Sequence, residues 1–553
     1  MISAPSGDGR PPAPDASLPP RPLPVEEPWT AERAVETYRA LFRDAPFTIV
    51  SNREPWLARR RPDGGMEYVR PAGGLTAALD PVMRAMGGTW IAWGPPAAVS
   101  ATGADGDALR FRVPPESPAY EVRRVPLSDV EVRNYYHGYA NESLWPLCHS
   151  ILEHVRFRER FWRAYVDVNR RFAEAVLDEA PDPRTLVWIQ DYHLALVPEL
   201  VRARRPDARL AHFWHIPWPS WDLFRVSPNH RELLRGLLAN DLLGFHLESF
   251  CDNFLRCCEQ DLEVLIDWRR RAVVHEGHVT MLRALPISID ADSFHELAGR
   301  PDTAERIAEL RRRYGLEGRL VGVGADRLDY SKGILERLDA LRFLFRRHPE
   351  LVGRFTFVQI GSPSRVEIAA YAELQQNVEA AVARLNDALA TPDWKPVVYV
   401  PRGLGQEDLA AFYRMADLAI VSSLQDGMNL VAKEFVAAQV ERPGVLCLSE
   451  FAGAAEELEH AITVNPFYTE GFAEDLHRAL TMPLEEREER MRAMQAILQR
   501  GNVYRWIGDV FTAAREALDL GRRRARPRAA AGTVAPTTAS SVGGGTATGG
   551  GPA

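Results

Sequence analysis

The chain has 553 residues, 46% of them hydrophobic, and a formal net charge of −8 at neutral pH. That length allows two substantial cores, and the acidic balance excludes a molecule built as a whole to attract nucleic acid. No apolar run is long enough to span a bilayer, the N-terminus lacks an apolar signal segment, and the five cysteines show no CxxC pair, which together point to a cytoplasmic protein with reduced thiols.

Residues 1–28 are proline-rich (PPAPDASLPPRPLPVEEP) without apolar periodicity, which predicts a disordered head; a lead-in helix completes the segment 1–45. Short apolar runs then alternate with helical patterns. The predicted strands are FTIVSN (47–52), TWIAWG (89–94), TLVWIQD (185–191), ARLAHFWHI (208–216), DLLGFH (241–246), LVGVGA (320–325), FTFVQIG (355–361), PVVYVPR (396–402), LAIVSS (418–423) and GVLCLSE (444–450). Helices are predicted between many of them, at 192–204, 228–240, 333–348, 365–388 and 405–415. Several strands are apolar throughout, as parallel strands covered on both faces are. The fold class is therefore α/β, with doubly wound, Rossmann-like sheets. A break near 286–318 divides one domain at 46–285 from a second at 286–520, and from 521 (GRRRARPRAAAG) the composition predicts a disordered tail to 553.

Ligands of such sheets bind beyond the carboxyl ends of the strands, and polar motifs recur at those ends. SNREP (51–55) offers Arg53, whose fork of donors suits a phosphate, although a lone arginine more often ends in a surface ion pair. PAGGL (71–75) precedes a helix, where adjacent glycines allow close backbone approach to a ligand. Tyr135, Tyr136 and Trp145 have the chemistry to stack on a sugar, with core packing the alternative. Asp191 ends one buried strand and His215 (HIPWP) its neighbour. Arg327 and Lys332 lie five apart in DRLDYSKG and suit a diphosphate leaving group; PSR places Arg365 at the next strand end. In LQDGMNLVAKE, Asp426 to Asn429 form a strand-to-helix turn. Glu434 follows five residues after Asn429, about 7.5 Å along a helix, within reach of a ribose whose diphosphate sits at the helix tip. Capping by Asn429 and turn formation by Asp426 would also account for that stretch. Phosphate-bearing ligands meeting in a cleft between two domains account for all of these motifs together.

SNR, the GG turn, the paired tyrosines before LWP, DYHL, HIPWP, RLDYSKG, PSR, DGMNLVAKE and EFAGAAEEL resemble, in order and from about Phe47 to Phe467, the trehalose-6-phosphate synthases. These are retaining glycosyltransferases of GT-B fold, with two Rossmann-like domains facing each other across a cleft. The resemblance implies transfer of glucose from a nucleotide sugar, UDP-glucose above GDP- or ADP-glucose, to glucose 6-phosphate. It implies that Arg327 and Lys332 hold the donor diphosphate, Gly74 approaches it from the other domain, and Gly427, Met428, Asn429, Leu430 and Val431 support the phosphates. Glu434 would take the ribose, Asp426 and His215 the transferred glucose, Arg53, Tyr136 and Arg365 the acceptor phosphate, and Trp93, Trp145 and Asp191 the acceptor pocket. The last helix would pack back on the N-terminal domain.

The expected reaction is metal-free and has no cofactor, with front-face attack and the acceptor proton passing to a leaving-group oxygen. Asp105-Gly106-Asp107 and Asp290-Ala291-Asp292 have metal-binding spacing but sit in loop-like contexts and are set aside. Asp326, Gln425 and Gly361-Ser362 depart from the family pattern without removing a proposed catalytic group. Glycerol 3-phosphate as the acceptor and a silent sugar-phosphate sensor are the alternative readings. No phosphatase segment is expected after 520, so a separate enzyme would dephosphorylate the product. The expected partners are small molecules, with neither nucleic acid nor membrane; the oligomeric state is open and a homo-oligomer is allowed.

Overall fold

The structure, a computed structural model, describes residues 28–60, 66–69, 74–94 and 109–525. The proline-rich head up to residue 27, Gly73, the motif at 105–107 and the tail from 526 lie outside the described residues.

In chain order the strands of the N-terminal half are β1 (Phe47–Arg53), β2 (Leu57–Arg60), β3 (Met66–Val69), β4 (Thr89–Trp93), β5 (Arg110–Val113), β6 (Tyr120–Arg124), β7 (Leu186–Gln190), β8 (Arg209–Phe213), β9 (Leu242–Phe245), β10 (Leu265–Asp267), β11 (Ala272–His275) and β12 (His278–Ala284). Except for the β2–β3 hairpin they form one ten-stranded sheet of order β10-β11-β12-β9-β8-β7-β1-β4-β6-β5. From β12 to β6 the neighbours run parallel; the strands beyond them at both edges are antiparallel. The second half supplies β13 (Leu320–Arg327), β14 (Phe355–Ser362), β15 (Val397–Val400), β16 (Leu418–Val421), β17 (Val445–Ser449) and β18 (Ile462–Val464), all parallel in the order β15-β14-β13-β16-β17-β18. This is the 3-2-1-4-5-6 order of a doubly wound dinucleotide-type sheet. Both halves are Rossmann-like, and the fold class is GT-B α/β.

Strand order reverses between β1 and β7 in the first sheet and between β13 and β16 in the second. Helices on opposite faces diverge there and leave a crevice at the carboxyl ends. β1 shows how the crevice receives its chemistry. Its apolar residues bury the strand, and its last residue, Arg53, is delivered exposed.

The chain crosses between the halves twice. The first crossing follows β12; the second leads into the helix Val503–Ala525. The crossings touch: the Val503 N–H donates to Ile289 O at 3.0 Å and Tyr504 to Asp290 Oδ2 at 2.8 Å. The Val503–Ala525 helix then packs on the N-terminal sheet, with Trp506 against Trp188 and Phe213 and Phe511 against Tyr38 and Phe47.

Several elements differ from the sequence expectation. The helix expected to stop at 520 runs on to Ala525, because its first arginines continue a helical pattern rather than a tail. The segment expected as one helix at 192–204 is a 3₁₀ turn, Tyr192–Leu194, and a separate helix, Val197–Arg204, entered through Pro198. Asp290 is a helix cap, accepting from the Ser293 N–H at 3.1 Å, which accounts for one of the two DxD motifs. The paired tyrosines lie on a π-helical segment, Val132–Leu144, that joins directly to the short helix carrying Trp145.

Candidate active site

A cleft of about 720 Å³ lies between the two sheets at their carboxyl ends. The N-terminal half lines it with Arg53, Trp93, Tyr136, Trp145, Asp191 and His215 among others; the C-terminal half supplies Arg327, Lys332, Arg365 and Asp426. Ten of the residues singled out from the sequence therefore meet in one place.

The floor on the C-terminal side is an ion pair. Lys332 follows β13 in the 3₁₀ turn Tyr330–Lys332, and Gly333 then takes φ 60° to enter the next helix. A Cβ on Gly333 would lie 2.1 Å from Ser422 O, so glycine lets the loop close onto β16. That closure sets Lys332 Nζ 2.5 Å from Asp426 Oδ2. The same oxygen accepts from Ser423 Oγ at 3.1 Å and Asn429 Nδ2 at 3.0 Å. Burial raises the Asp426 pKa, but Lys332, His149 and Asn429 outweigh it and bring it down to about 2. Asn429, at φ 89°, also caps the helix Leu430–Ala437 by accepting from the Ala432 N–H at 3.2 Å. Arg327 is exposed beside this pair, with its guanidinium 5.5 Å from the centre of the Trp145 ring.

A second cationic group faces the first. Arg53 donates to Tyr136 Oη at 2.8 Å. Arg365, at φ 50°, lies 4.2 Å above the Trp145 ring and pairs with Asp329 at 3.2 Å. It also donates to Tyr371 Oη, while its Nε is buried without a partner. Burial raises the Tyr136 pKa, yet Arg365, Arg53 and Arg327 together pull it below the ordinary phenol value. A positive field strong enough to do that to a neutral phenol also suits a phosphate.

Between the two groups lie Asp191 and His215. Asp191 sits at φ 72°, which a non-glycine residue adopts under strain. Its Oδ1 accepts from the His215 N–H at 3.2 Å, and burial raises its pKa to about 6. His215 Nε2 lies 2.9 Å from Gln190 Oε1, and the ring packs against Phe213, His246 and Trp506. Burial holds His215 well below the ordinary imidazole pKa, so it is neutral. Gly427 permits the approach of the halves: a Cβ there would lie 2.3 Å from His215 O.

Residues 45–516 match the profile of glycosyltransferase family 20. The chain belongs to glycosyltransferase family 20. It is 38% identical over 470 residues to a trehalose-6-phosphate synthase of Mycobacterium sp. (strain KMS), covering 84% of this chain and 94% of that one. It is 34% identical over 460 residues to the UDP-forming alpha,alpha-trehalose-phosphate synthase A of Dictyostelium discoideum, covering 83% of this chain but 61% of that longer protein. The crystal structure of the UDP-forming alpha,alpha-trehalose-phosphate synthase of Burkholderia xenovorans with glucose-6-phosphate superposes with a TM-score of 0.74 at 32% identity, covering 84% of this chain and 98% of that one.

Not every expected residue of this family 20 chain lines the cleft. Glu434 is half-buried on the helix Leu430–Ala437, with Tyr413 Oη 3.4 Å away, and burial raises its pKa to about 7. Met428 is buried, and Leu430 and Val431 open the same helix. Gly74 opens the helix Gly74–Met86, whose first turn brings Thr76 to the cleft. Asp326, a departure from the family pattern, pairs with buried Arg337 at 2.8 Å and so packs beneath the site.

The structure adds residues the sequence did not single out. Gln190 is fully buried, and its Nε2 has no partner although it lines the cleft. His193 stacks on Tyr136; neither ring nitrogen has a hydrogen-bond partner, and Nδ1 lies 3.9 Å from Asp191 Oδ2. Asp329 holds Arg365 with one oxygen and accepts from Trp145 Nε1, at 3.3 Å, with the other. Gln190 and His193 lie within or beside apolar runs, and Asp329 lies inside the RLDYSKG motif. The one signal in the sequence was that a buried polar group needs a partner or a ligand.

Proposed function

We propose that the chain transfers glucose from UDP-glucose to the 1-position of glucose 6-phosphate, with retention, to give trehalose 6-phosphate. The observation that carries this reading is the pairing of two cationic groups across one cleft, each beside the point where its sheet reverses strand order. Arg327 and Lys332 suit the diphosphate, and Arg53, Tyr136 and Arg365 suit the acceptor phosphate.

The chemistry follows from where charge develops. Cleavage of the anomeric bond leaves negative charge on the diphosphate and positive charge on the sugar. Arg327 and Lys332 are placed to stabilise the first, a role that divalent metals fill in other transferases, and the transfer runs without one. Asp426 exchanges part of its contact with Lys332 for a sugar hydroxyl when donor binds. Neutral His215 donates its Nε2–H to Gln190 Oε1, which leaves Nδ1 to accept from a hydroxyl of the transferred glucose, and its backbone is held through Asp191. Glu434 takes the ribose, and the helix start at Leu430 faces the phosphates. The acceptor proton leaves on a diphosphate oxygen as the new bond forms on the face the leaving group vacates, so no side-chain nucleophile is needed.

Glucose 6-phosphate is favoured over glycerol 3-phosphate by the names of the relatives and by the solved relative that holds it. The product leaves as its phosphate ester for a separate phosphatase, and the protein works in the cytoplasm. Its cysteines are free and buried, and no described helix is long and apolar enough to cross a membrane.

The test is product analysis with purified protein, UDP-glucose and either acceptor, in EDTA. A non-reducing α,α-linked disaccharide phosphate from glucose 6-phosphate is expected. Product from glycerol 3-phosphate alone, loss of turnover in EDTA, or free trehalose would each overturn the corresponding part of the reading.

A further inference from the structure

The helix Ile334–Arg347 starts at Gly333, next to Lys332, and ends at His348, about 21 Å away at the usual rise. At that far end lies a group of side chains that does not line the cleft. His348 caps the helix, Glu350 sits in the 3₁₀ turn Pro349–Leu351, and His477 and Glu474 lie three apart on the neighbouring helix Thr469–Thr481. Among the described residues, His348, Glu350 and His477 are the one group of three such donors whose ligating atoms come within 4.8 Å of one another.

Two relationships give the group the form of a metal site. First, Glu350 Oε1 lies 3.5 Å from His348 Nδ1 and 3.4 Å from His477 Nε2. These are ion-pair separations. They are close to the edges, about 3.3–3.4 Å, of a tetrahedron drawn around zinc with ordinary bonds of about 2.0–2.1 Å, although the rings must still turn to complete it. Second, the other nitrogen of His348 already has a carboxylate. Nε2 donates to Glu474 Oε2 at 3.3 Å, and Glu474 is held from behind by Arg347 at 3.4 Å. A carboxylate on the outer nitrogen fixes the tautomer that leaves Nδ1 free to bind, the usual arrangement behind a metal-bound histidine.

We propose that His348 Nδ1, His477 Nε2 and a Glu350 oxygen bind one zinc-class divalent cation, with water in the fourth position. The two imidazole rings are stacked 3.6 Å apart and nearly parallel, so their in-plane lone pairs do not yet converge. Binding turns one ring out of the stack, and His477, 28% exposed, has room to turn. Neutral imidazole and carboxylate donors select zinc over magnesium, which prefers oxygen and water. The cation ties the loop after His348 to the helix Thr469–Thr481, so its effect is on stability, not on the transfer step.

The experiment uses untagged full-length protein stripped of metal. Calorimetric titration with Zn2+ is expected to show one equivalent bound and a raised Tm, unaffected by excess Mg2+. Co2+ is expected to give the visible absorption of a tetrahedral site. Zinc is expected to protect His348 and His477, above other histidines, from carbethoxylation, read by mass spectrometry of the unmutated protein. His477→Ala should abolish binding and leave glucosyl transfer unchanged, and Glu474→Gln should weaken binding by roughly 10-fold or more. No stoichiometric binding, or binding that neither protects these histidines nor falls in a folded His477→Ala variant, would overturn the proposal and mark the zinc as adventitious.

Discussion

Lys332 Nζ lies 2.5 Å from Asp426 Oδ2, and both side chains are nearly buried at the floor of the cleft. The cation expected to meet the donor diphosphate is thus held by the carboxylate expected to meet the donor sugar. In the unliganded protein each supplies the other's counter-charge, which for Lys332 the diphosphate is expected to replace.

Removing one partner of such a pair leaves an uncompensated charge. Lys332→Ala is expected to cost about 3–5 kcal/mol of stability without ligand, read by chemical denaturation. The pair's contribution is present above the ordinary carboxylate range, and it is lost as pH falls through about 2, where folded Asp426 takes its proton. A variant as stable as the parent would show that the pair contributes nothing to the unliganded fold.

Arg327 differs from Lys332 in being exposed, with an aromatic ring rather than a carboxylate against it. Arg327→Ala should therefore leave Tm nearly unchanged while lowering kcat by on the order of 10²–10³-fold. Near-normal turnover in a folded variant would move the diphosphate elsewhere.

Glu434 carries a pKa raised to about 7 by burial. A raised carboxyl favours the neutral form in the folded state, so the folded protein binds the extra proton between the ordinary range and about pH 7. Stability from this group falls as pH rises through that window. Ribose hydroxyls donating to the carboxylate favour the charged form, so UDP should bind more tightly as pH rises through 7 and should release a proton. Calorimetry in buffers of different ionisation enthalpy reads that proton. Glu434→Gln should abolish its release; unchanged release would place the titrating group elsewhere.

Gln190 orients His215 through a 2.9 Å contact and has a second polar atom buried without a partner. Gln190→Leu removes both and is expected to lower kcat by roughly 10-fold, the effect of about one lost hydrogen bond in a buried site. An effect on KM alone would make Gln190 a binding residue and leave His215 oriented by other groups.

The strands legible in the sequence were those buried on both faces, such as FTIVSN and LAIVSS, because an unbroken apolar run that short suits little besides a covered strand. The last two strands at that end of the sheet, β6 and the edge strand β5, were not legible: YEVRR and RFRV are short and rich in charge, too brief for their alternation to stand out from loop. The segment Val132–Leu144 was hidden for another reason. Its buried face also includes Gly138, Asn141 and Ser143, which dilute the apolar stripe that Tyr135, Tyr136 and Tyr139 begin. At the site, the charged residues stood out because a cation at a strand end is conspicuous. Gln190 and His193 did not, because a neutral polar residue beside an apolar run resembles core until its missing partner is seen in three dimensions.

The two crossings between the halves lie side by side, with Val503 bonded to Ile289. A joint of two adjacent strands of chain bends about the line through both and resists twist about either. The relative motion expected of the halves is therefore a swing that widens or narrows the cleft. Trp506, one turn beyond the joint, touches the His215 ring, so the joint lies close to the cleft lining. Such a swing would carry the outer rims of the cleft farther than the residues beside the joint.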